Sequence, residues 1–379
     1  TAMKTALSRV SDFLREVLQT AFRLFPWSAE PGLRAVGNPG PFSPVLITGN
    51  YDLTVRRVLR AIEDLDAWLV VAPSGGINVW CAAAGGHLTT HQVVTALKTS
   101  GIESKVQHKR AILPQLAATG VMARDVMHRC RWRVRFGPVY ARDLPRYLAD
   151  GEKKTDAMRH VRFGVKERLE AVVMWAVPSA FVLGGASLLL RPAWSLPLIT
   201  LSSALALALF FLYDRIPGPR RLIFGACGTA LALGAVWLAG GGGAAYLGTA
   251  GAAIALTAVL TFDYPGATPI EGSAFFEQRR WTIALDPDRC KGVYSCWEVC
   301  PEACYEKVPG ERKIDLAHDD RCVRCGACVV QCPMDALFFE DQDGERIAPD
   351  VIRRYKLNML GRRTVDAGEP AVGTSSESP

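Results

Sequence analysis

The chain of 379 residues is too long for one small domain and calls for two or three units. It is 49% apolar with a net charge of +7, and no stacking aromatics are interleaved with its basic residues, which argues against a nucleic-acid-binding surface. A basic cytoplasmic flank beside membrane helices gives the same charge. Of the eleven cysteines, eight lie between Cys290 and Cys332, so the choice is between disulfides and metal. No signal-peptide pattern opens these residues, and the spacing is that of cluster ligation, so metal in a reducing compartment is expected.

Residues 1–43 read as an amphipathic helix and an arm. Leu7, Val10, Phe13, Leu14, Val17, Leu18 and Phe22 share one helical face among Arg9, Arg15 and Arg23. Such a helix either docks on the first domain or lies in a membrane interface. The Pro/Gly-rich stretch from Pro26 to Pro44 reads as a linker.

Residues 44–170 alternate strand and helix patterns. Strand-like runs cover Pro44–Thr48, Trp68–Ala72, Lys105–Leu113 and Trp132–Phe136, with helical patterns at Leu53–Leu65 and up to about Leu97. This alternation implies an α/β domain with a mainly parallel sheet, whose ligands sit at the carboxyl ends of the strands. Those ends fall at Thr48-Gly49-Asn50 and at Pro73–Ile77, and neither loop matches the dinucleotide fingerprint. The His87/His91 pair, one helical turn apart, reads as surface polarity.

Residues 171–262 hold four apolar segments, Ala171–Leu190, Trp194–Tyr213, Leu222–Ala239 and Ala244–Phe262. Each is near the ~20 residues needed to cross a bilayer, so an α-helical transmembrane bundle of about four spans is expected. Lys153, Lys154, Arg159, Arg162, Lys166 and Arg168 precede the first span, and Arg215, Arg220 and Arg221 lie between the second and third. The opposite loops offer only Arg191. The positive-inside rule then makes this a multi-pass inner-membrane protein with both soluble parts in the cytoplasm and lipid as a partner.

Residues 263–345 carry the cysteines. Cys322, Cys325, Cys328 and Cys332-Pro333 form the C-x2-C-x2-C-x3-C-P run of bacterial two-cluster ferredoxins, an α+β module. Structural zinc, the main rival, usually uses two separated pairs. In the first group Cys290, Cys296 and Cys300 stand at the first, third and fourth ligand positions, while the second holds Val293. One [4Fe–4S] cluster is therefore expected on Cys300, Cys322, Cys325 and Cys328. The other cluster retains Cys290, Cys296 and Cys332, as [3Fe–4S] or as [4Fe–4S] with an outside ligand, unless it has been lost. Cys304 is either a buried thiol or a substitute ligand for that first cluster. Residues 346–379 read as a partly disordered tail, small and acidic from Val365 onward.

Cys81 stands where a helix opens after a strand, a setting in which a thiol can ligate a soft metal. The run Asn78-Val79-Trp80-Cys81-Ala82-Ala83 closely resembles the cap-helix motif of the mercury-methylation corrinoid protein family, relatives of the corrinoid iron–sulfur protein large subunit. Pro44–Tyr51, Arg110–Gln115 and Phe136–Val139 support the resemblance, as does the order of corrinoid domain, membrane helices and, here fused, the ferredoxin partner. The resemblance implies a base-off cobalamin with Cys81 below the cobalt. Thr48, Gly49, Asn50, Gly76, Asn78, Val79, Trp80 and Ala82 would line it, with Trp80 on the ring or anchoring its helix. It further implies a corrinoid-dependent methyltransferase with a built-in electron source for cobalt, a methyl-donor protein or small molecule, an electron donor, and Hg(II) as acceptor. The alternative is a membrane iron–sulfur electron carrier without methyl transfer. Three departures bear on mercury and topology. Ala84-Gly85 stands where the family usually has Gly-Lys, no cysteine follows Cys332, and four spans replace the usual five.

Overall fold

The central strands of the first soluble part are apolar on both faces, as strands covered by helices on either side must be. Strands β2 (Val45–Gly49) and β3 (Ala67–Ala72) are buried along their lengths apart from half-buried Trp68. In the computed structural model, residues 2–262, apart from positions 24, 163, 218 and 239, and residues 281–355 are described.

A five-stranded sheet has the order β1-β3-β2-β4-β5, with β1 (Gly32–Val36), β4 (Arg110–Leu113) and β5 (Arg133–Phe136) completing it. All neighbours run parallel except β1, which pairs antiparallel with β3 at the edge. The mainly parallel sheet expected from the alternation is present. Two details differ. The arm read as a linker contributes β1, and the strand expected from Lys105 begins only at Arg110, because Ile102–Ser104 forms a tight turn before it.

Helix α2 (Asp52–Ala61) follows β2, and the short α3 (Val79–Ala84) and α4 (Thr90–Thr99) follow β3. Asn78 caps α3, its side chain accepting from the Cys81 N–H, and a Thr89/Gln92 capping box opens α4. After β4 the chain makes a tight turn at Gln115–Thr119, α5 (Ala123–Cys130) leads into β5, and the short α6 (Leu144–Ala149) and α7 (Asp156–Arg159) follow. Val70, Val93, Leu97, Val126 and Trp132 anchor the core on one sheet face.

The cysteine module belongs to the same compact unit, residues 26–161 together with 272–379. Strand β6 (Thr282–Leu285) pairs with β9 (Leu337–Glu340), and the hairpin of β7 (Glu306–Lys307) and β8 (Ile314–Asp315) stands apart. Two five-residue helices lie within the cysteine groups, α12 (Ser295–Val299), which ends at Cys300, and α13 (Ala327–Gln331), which ends at Cys332. Residues 346–355, read from sequence as the start of a tail, extend the module. Strand β10 (Arg346–Ile347) pairs with β9, and helix α14 (Pro349–Tyr355) buries Ile352 and Arg353. The later tail, and residues 263–280, lie outside the described residues.

The other unit joins residues 1–25 to 162–271. Its helices α8 (Val165–Leu190), α9 (Ser195–Leu212), α10 (Arg220–Leu238) and α11 (Gly243–Phe262) coincide with the four expected apolar segments. The first opens six residues earlier than its apolar segment, at Val165 rather than Ala171. All four are long and apolar enough to cross a membrane. Leu189, Leu190, Leu231, Leu238 and Leu247 are largely exposed, while Leu205, Leu209, Phe210 and Phe224 pack inside. Helix α1 (Ala2–Ala21) contacts α8, with Phe22 on Phe181 at 5.8 Å and Arg23 near Glu170 at 3.6 Å. Its face is inverted. Gln19 and Thr20 are buried, whereas Phe13, Leu14, Val17 and Leu18 are exposed.

Candidate functional site

The carboxyl ends of β2, β3 and β4 meet on one side of the sheet, where the loop Ser74–Asn78 leads into the helix bearing Cys81. Asn50 fastens that loop. Its side-chain oxygen accepts from the N–H groups of Ser74 (2.7 Å) and Gly76 (3.0 Å), and its amide donates to the Ala29 carbonyl (3.1 Å). Gly75 and Gly76 both have positive φ, and a Cβ on Gly76 would meet Ser28 Oγ at 2.4 Å. A Cβ on Gly49 would likewise press on Ser74.

This loop sets up the thiol. The Asn78 amide donates to Cys81 Sγ (3.2 Å), its oxygen accepts from the Cys81 N–H (3.0 Å), and Cys81 is exposed. The residues expected to line a cofactor therefore divide. Cys81 faces outward and Asn78 orients it, but Val79 and Ala82 are buried in the sheet core, and Asn50, Gly49 and Gly76 serve the loop's own packing. Thr48 has a buried hydroxyl without a hydrogen-bond partner at the end of β2. Trp80 packs into a cluster with Ala118, Val299, Val323, Cys325 and Ala327, so it joins the α/β domain to the cysteine module.

The cysteines sort into two cavities. Cys290, Cys296 and Cys332 line the first, of about 340 Å³ including its mouth, together with Val293 and Ile314. Cys300, Cys322, Cys325 and Cys328 line the second, of about 300 Å³, as the spacing implied. Cys304 lies in this second cavity, 2% exposed. Of the two options for Cys304, the structure sets it beside Cys300 and Cys322 rather than beside Val293, because the turn at Pro301 directs it into the second cavity.

The donor set fits clusters. Cys300 Sγ accepts from the Cys304 N–H (3.4 Å) and Cys322 Sγ from the Arg324 N–H (3.3 Å), the kind of bond that surrounds cluster sulfurs. The Cys304 thiol beside them draws Cys300 down to about 7 and lowers Cys322, while Cys304 itself holds its proton. Burial pushes Cys296 up to about 12 and raises Cys325 and Cys328. Thiolates in such apolar walls require a positive partner, which iron supplies. Burial and the thiols beside it push Glu302 up to about 8, so it stands protonated at neutral pH.

The sequence reading missed how the module docks. Gln331 on α13 donates to the carbonyls of Ala118 (2.8 Å) and Val121 (2.7 Å). Gln115 donates to the carbonyls of Arg159 (2.6 Å) and Cys300 (3.4 Å), and Lys154 Nζ donates to Gln115 Oε1 (2.9 Å) and the Glu298 carbonyl (2.8 Å). The Val161 N–H donates to the Pro301 carbonyl (2.9 Å). The second cavity thus adjoins the α/β domain.

An α/β domain presenting a capped surface thiol is packed here on a cysteine module of the ferredoxin class. Residues 318–338 match the family model for the 4Fe-4S binding domain, and residues 10–148 match that for the CO dehydrogenase/acetyl-CoA synthase delta subunit. Among curated relatives, the acetyl-CoA decarbonylase/synthase complex subunit gamma of Methanopyrus kandleri is 37% identical over 125 residues, 32% of this chain and 27% of that protein. The same subunit of Methanocaldococcus jannaschii is 38% identical over 108 residues, 28% of this chain and 22% of its own length, and that of Archaeoglobus fulgidus is 35% identical over 116 residues, 30% and 24%. The chain spans about a quarter of the length of these relatives.

Proposed function

We propose that the chain is a membrane-anchored corrinoid methyl carrier whose fused ferredoxin supplies electrons to the cobalt. The observation that carries this reading is the contact made by the thiol's own helix: Trp80, next to Cys81, packs against the buried cluster of Ala118, Val299, Val323, Cys325 and Ala327, which includes part of the second cavity's lining. Similarity of residues 10–148 to a corrinoid iron–sulfur protein lineage and the 4Fe-4S match support it. A corrinoid held at this surface supplies methyl transfer at cobalt. Cys81 Sγ and the Thr48 hydroxyl, buried without a hydrogen-bond partner, are the groups that would hold it, and the Asn78 amide would fix that sulfur. Residues 44–170 form the corrinoid domain, and residues 263–355 the electron-transfer module.

Cys300, Cys322, Cys325 and Cys328 hold a [4Fe–4S] cluster and, being beside the α/β domain, hand over the electron. Cys290, Cys296 and Cys332 hold the second cluster, which Val293 limits to three protein ligands. The four apolar helices cross the inner membrane and keep both soluble parts in the cytoplasm. Helix α1 lies in the lipid interface with its apolar face outward. The acceptor class is a soft, thiol-binding metal ion, Hg(II) being the case to test, since a thiolate-ligated cobalt favours such partners. The test incubates the reconstituted chain with methylated cobalamin, reductant and Hg(II), scoring methylmercury against Cys81→Ala. Formation lost in the variant supports the reading. No transfer to mercury from well-loaded protein removes mercury as acceptor, and failure to take up a corrinoid leaves a membrane electron carrier.

A further inference from the structure

The two short helices of the cysteine module are related by position. In α12 the run Cys296-Trp297-Glu298-Val299-Cys300-Pro301 matches Cys328-Val329-Val330-Gln331-Cys332-Pro333 of α13. Each helix opens on a left-handed residue, Tyr294 (φ 63°) or Gly326 (φ 72°), and each ends at a cysteine. Each also ends on carbonyls that need a donor. At α13 the donor is internal. Arg353 on α14 donates to the carbonyls of Val329 (2.9 Å) and Cys332 (2.6 Å) and pairs with Asp335.

At α12 the equivalent carbonyls are served from the α/β domain. Arg159 donates to Trp297 O (2.9 Å), lies over the Trp297 ring at 3.3 Å and pairs with Asp156, as Arg353 pairs with Asp335. Lys154 takes the Glu298 carbonyl and Gln115 that of Cys300. Arg159 is 4% exposed. Two cations from outside the module are thus held against α12, the helix that ends at Cys300 of the second cavity, and Arg159 acts on that sulfur directly. Their nearest carboxylates are Asp156, on Arg159, and Glu298, beside Lys154. Asp156 is largely exposed and so screened by water.

We propose that Lys154 and Arg159 are positioning residues that set the reduction potential of the cluster in the second cavity, so that the α/β domain tunes the electron source docked on it. The proposal rests on the [4Fe–4S] reading of that cavity. Reduction adds one electron to the cluster, from dithionite in the test, with no bond made or broken. The added negative charge is stabilised by a buried cation more than by an exposed one, because little water screens it. Removing either cation therefore lowers the potential of this cluster, and the first cavity, capped by Arg353, stays as it was.

The test is an EPR-monitored redox titration of the full-length chain, with Lys154→Met, Arg159→Gln and Arg159→Lys compared at matched iron and sulfide content. Exposed Arg129→Gln is the remote-charge control. The expected result is a negative shift for the second-cavity cluster alone in the first two variants, recovered in Arg159→Lys and absent in the control. If Arg159→Gln fails to fold, Lys154→Met carries the measurement. Unmoved potentials in folded variants, or equal shifts of both clusters, overturn the proposal. A wild-type chain with no reducible cluster overturns the reading beneath it as well.

Discussion

The two cysteine cavities come from one repeated motif and finish differently. The first has three thiols, opens beside exposed Val293, and has its helix capped by Arg353 from within the module. The second has four thiols plus Cys304, has Val323, Cys325 and Ala327 of its lining packed in one cluster with Ala118 and Trp80, and has the helix that ends at Cys300 capped from the α/β domain. The difference teaches that the fused ferredoxin is docked on the α/β domain within one compact unit rather than tethered beside it. Polar groups 185 positions apart, Gln115 and Cys300, hold the cavity with the full ligand set against the domain that bears Cys81.

The largest expected effect breaks the comparison outright. Cys325→Ala should abolish the second-cavity cluster, seen as loss of its EPR signal, and weaken docking through Ala118 and Trp80. Its counterpart sharpens the comparison: Val293→Cys restores a fourth thiol to the first cavity. If a three-iron cluster resides there, its oxidised-state EPR signal should vanish and iron per chain should rise.

Docking itself comes next. Trp80→Ala should destabilise the soluble unit by ~2 kcal/mol, less than a fully buried tryptophan because Trp80 is half-buried. Gln331→Ala should cost about 2 kcal/mol, since it strands the carbonyls of Ala118 and Val121. Denaturant melts of the α/β–ferredoxin unit read both, and unchanged midpoints would mean that the two parts are only tethered.

The smallest effect is a pH dependence. Burial lowers Lys154 from 10.5 to about 8. The unfolded chain therefore binds the extra proton between these values, and stability rises as pH climbs from about 8 toward 10.5. Lys154→Met should flatten that rise in melts across the window.

Much of this was legible in the sequence because it is local. Thiol spacing sorted seven cysteines into the two cavities, strand–helix alternation gave the sheet, and apolar length gave the four long helices. What was hidden depends on distant partners. Strand β1 lies in a Pro/Gly-rich stretch without periodicity, and only pairing with β3 makes it a strand. Asn50 read as a ligand contact, yet its amide holds the loop before Cys81, which depends on where Ser74 and Gly76 fall. Lys154 and Arg159 read as part of a basic membrane flank, and nothing local distinguishes a flank charge from one that reaches α12. Cys304 sits four residues from Cys300, and the turn after Pro301 decides which cavity it enters.

The central claim is that a corrinoid sits on Cys81 beside the second cavity. Its most direct test is the EPR spectrum of the Co(II) form in the purified, reconstituted full-length chain, with and without Cys81→Ala. The account expects about one cobalt per chain and a spectrum whose lower-ligand signature changes in the variant while corrinoid stays bound. A chain that takes up no corrinoid, or one whose spectrum is the same with and without the thiol, would contradict it.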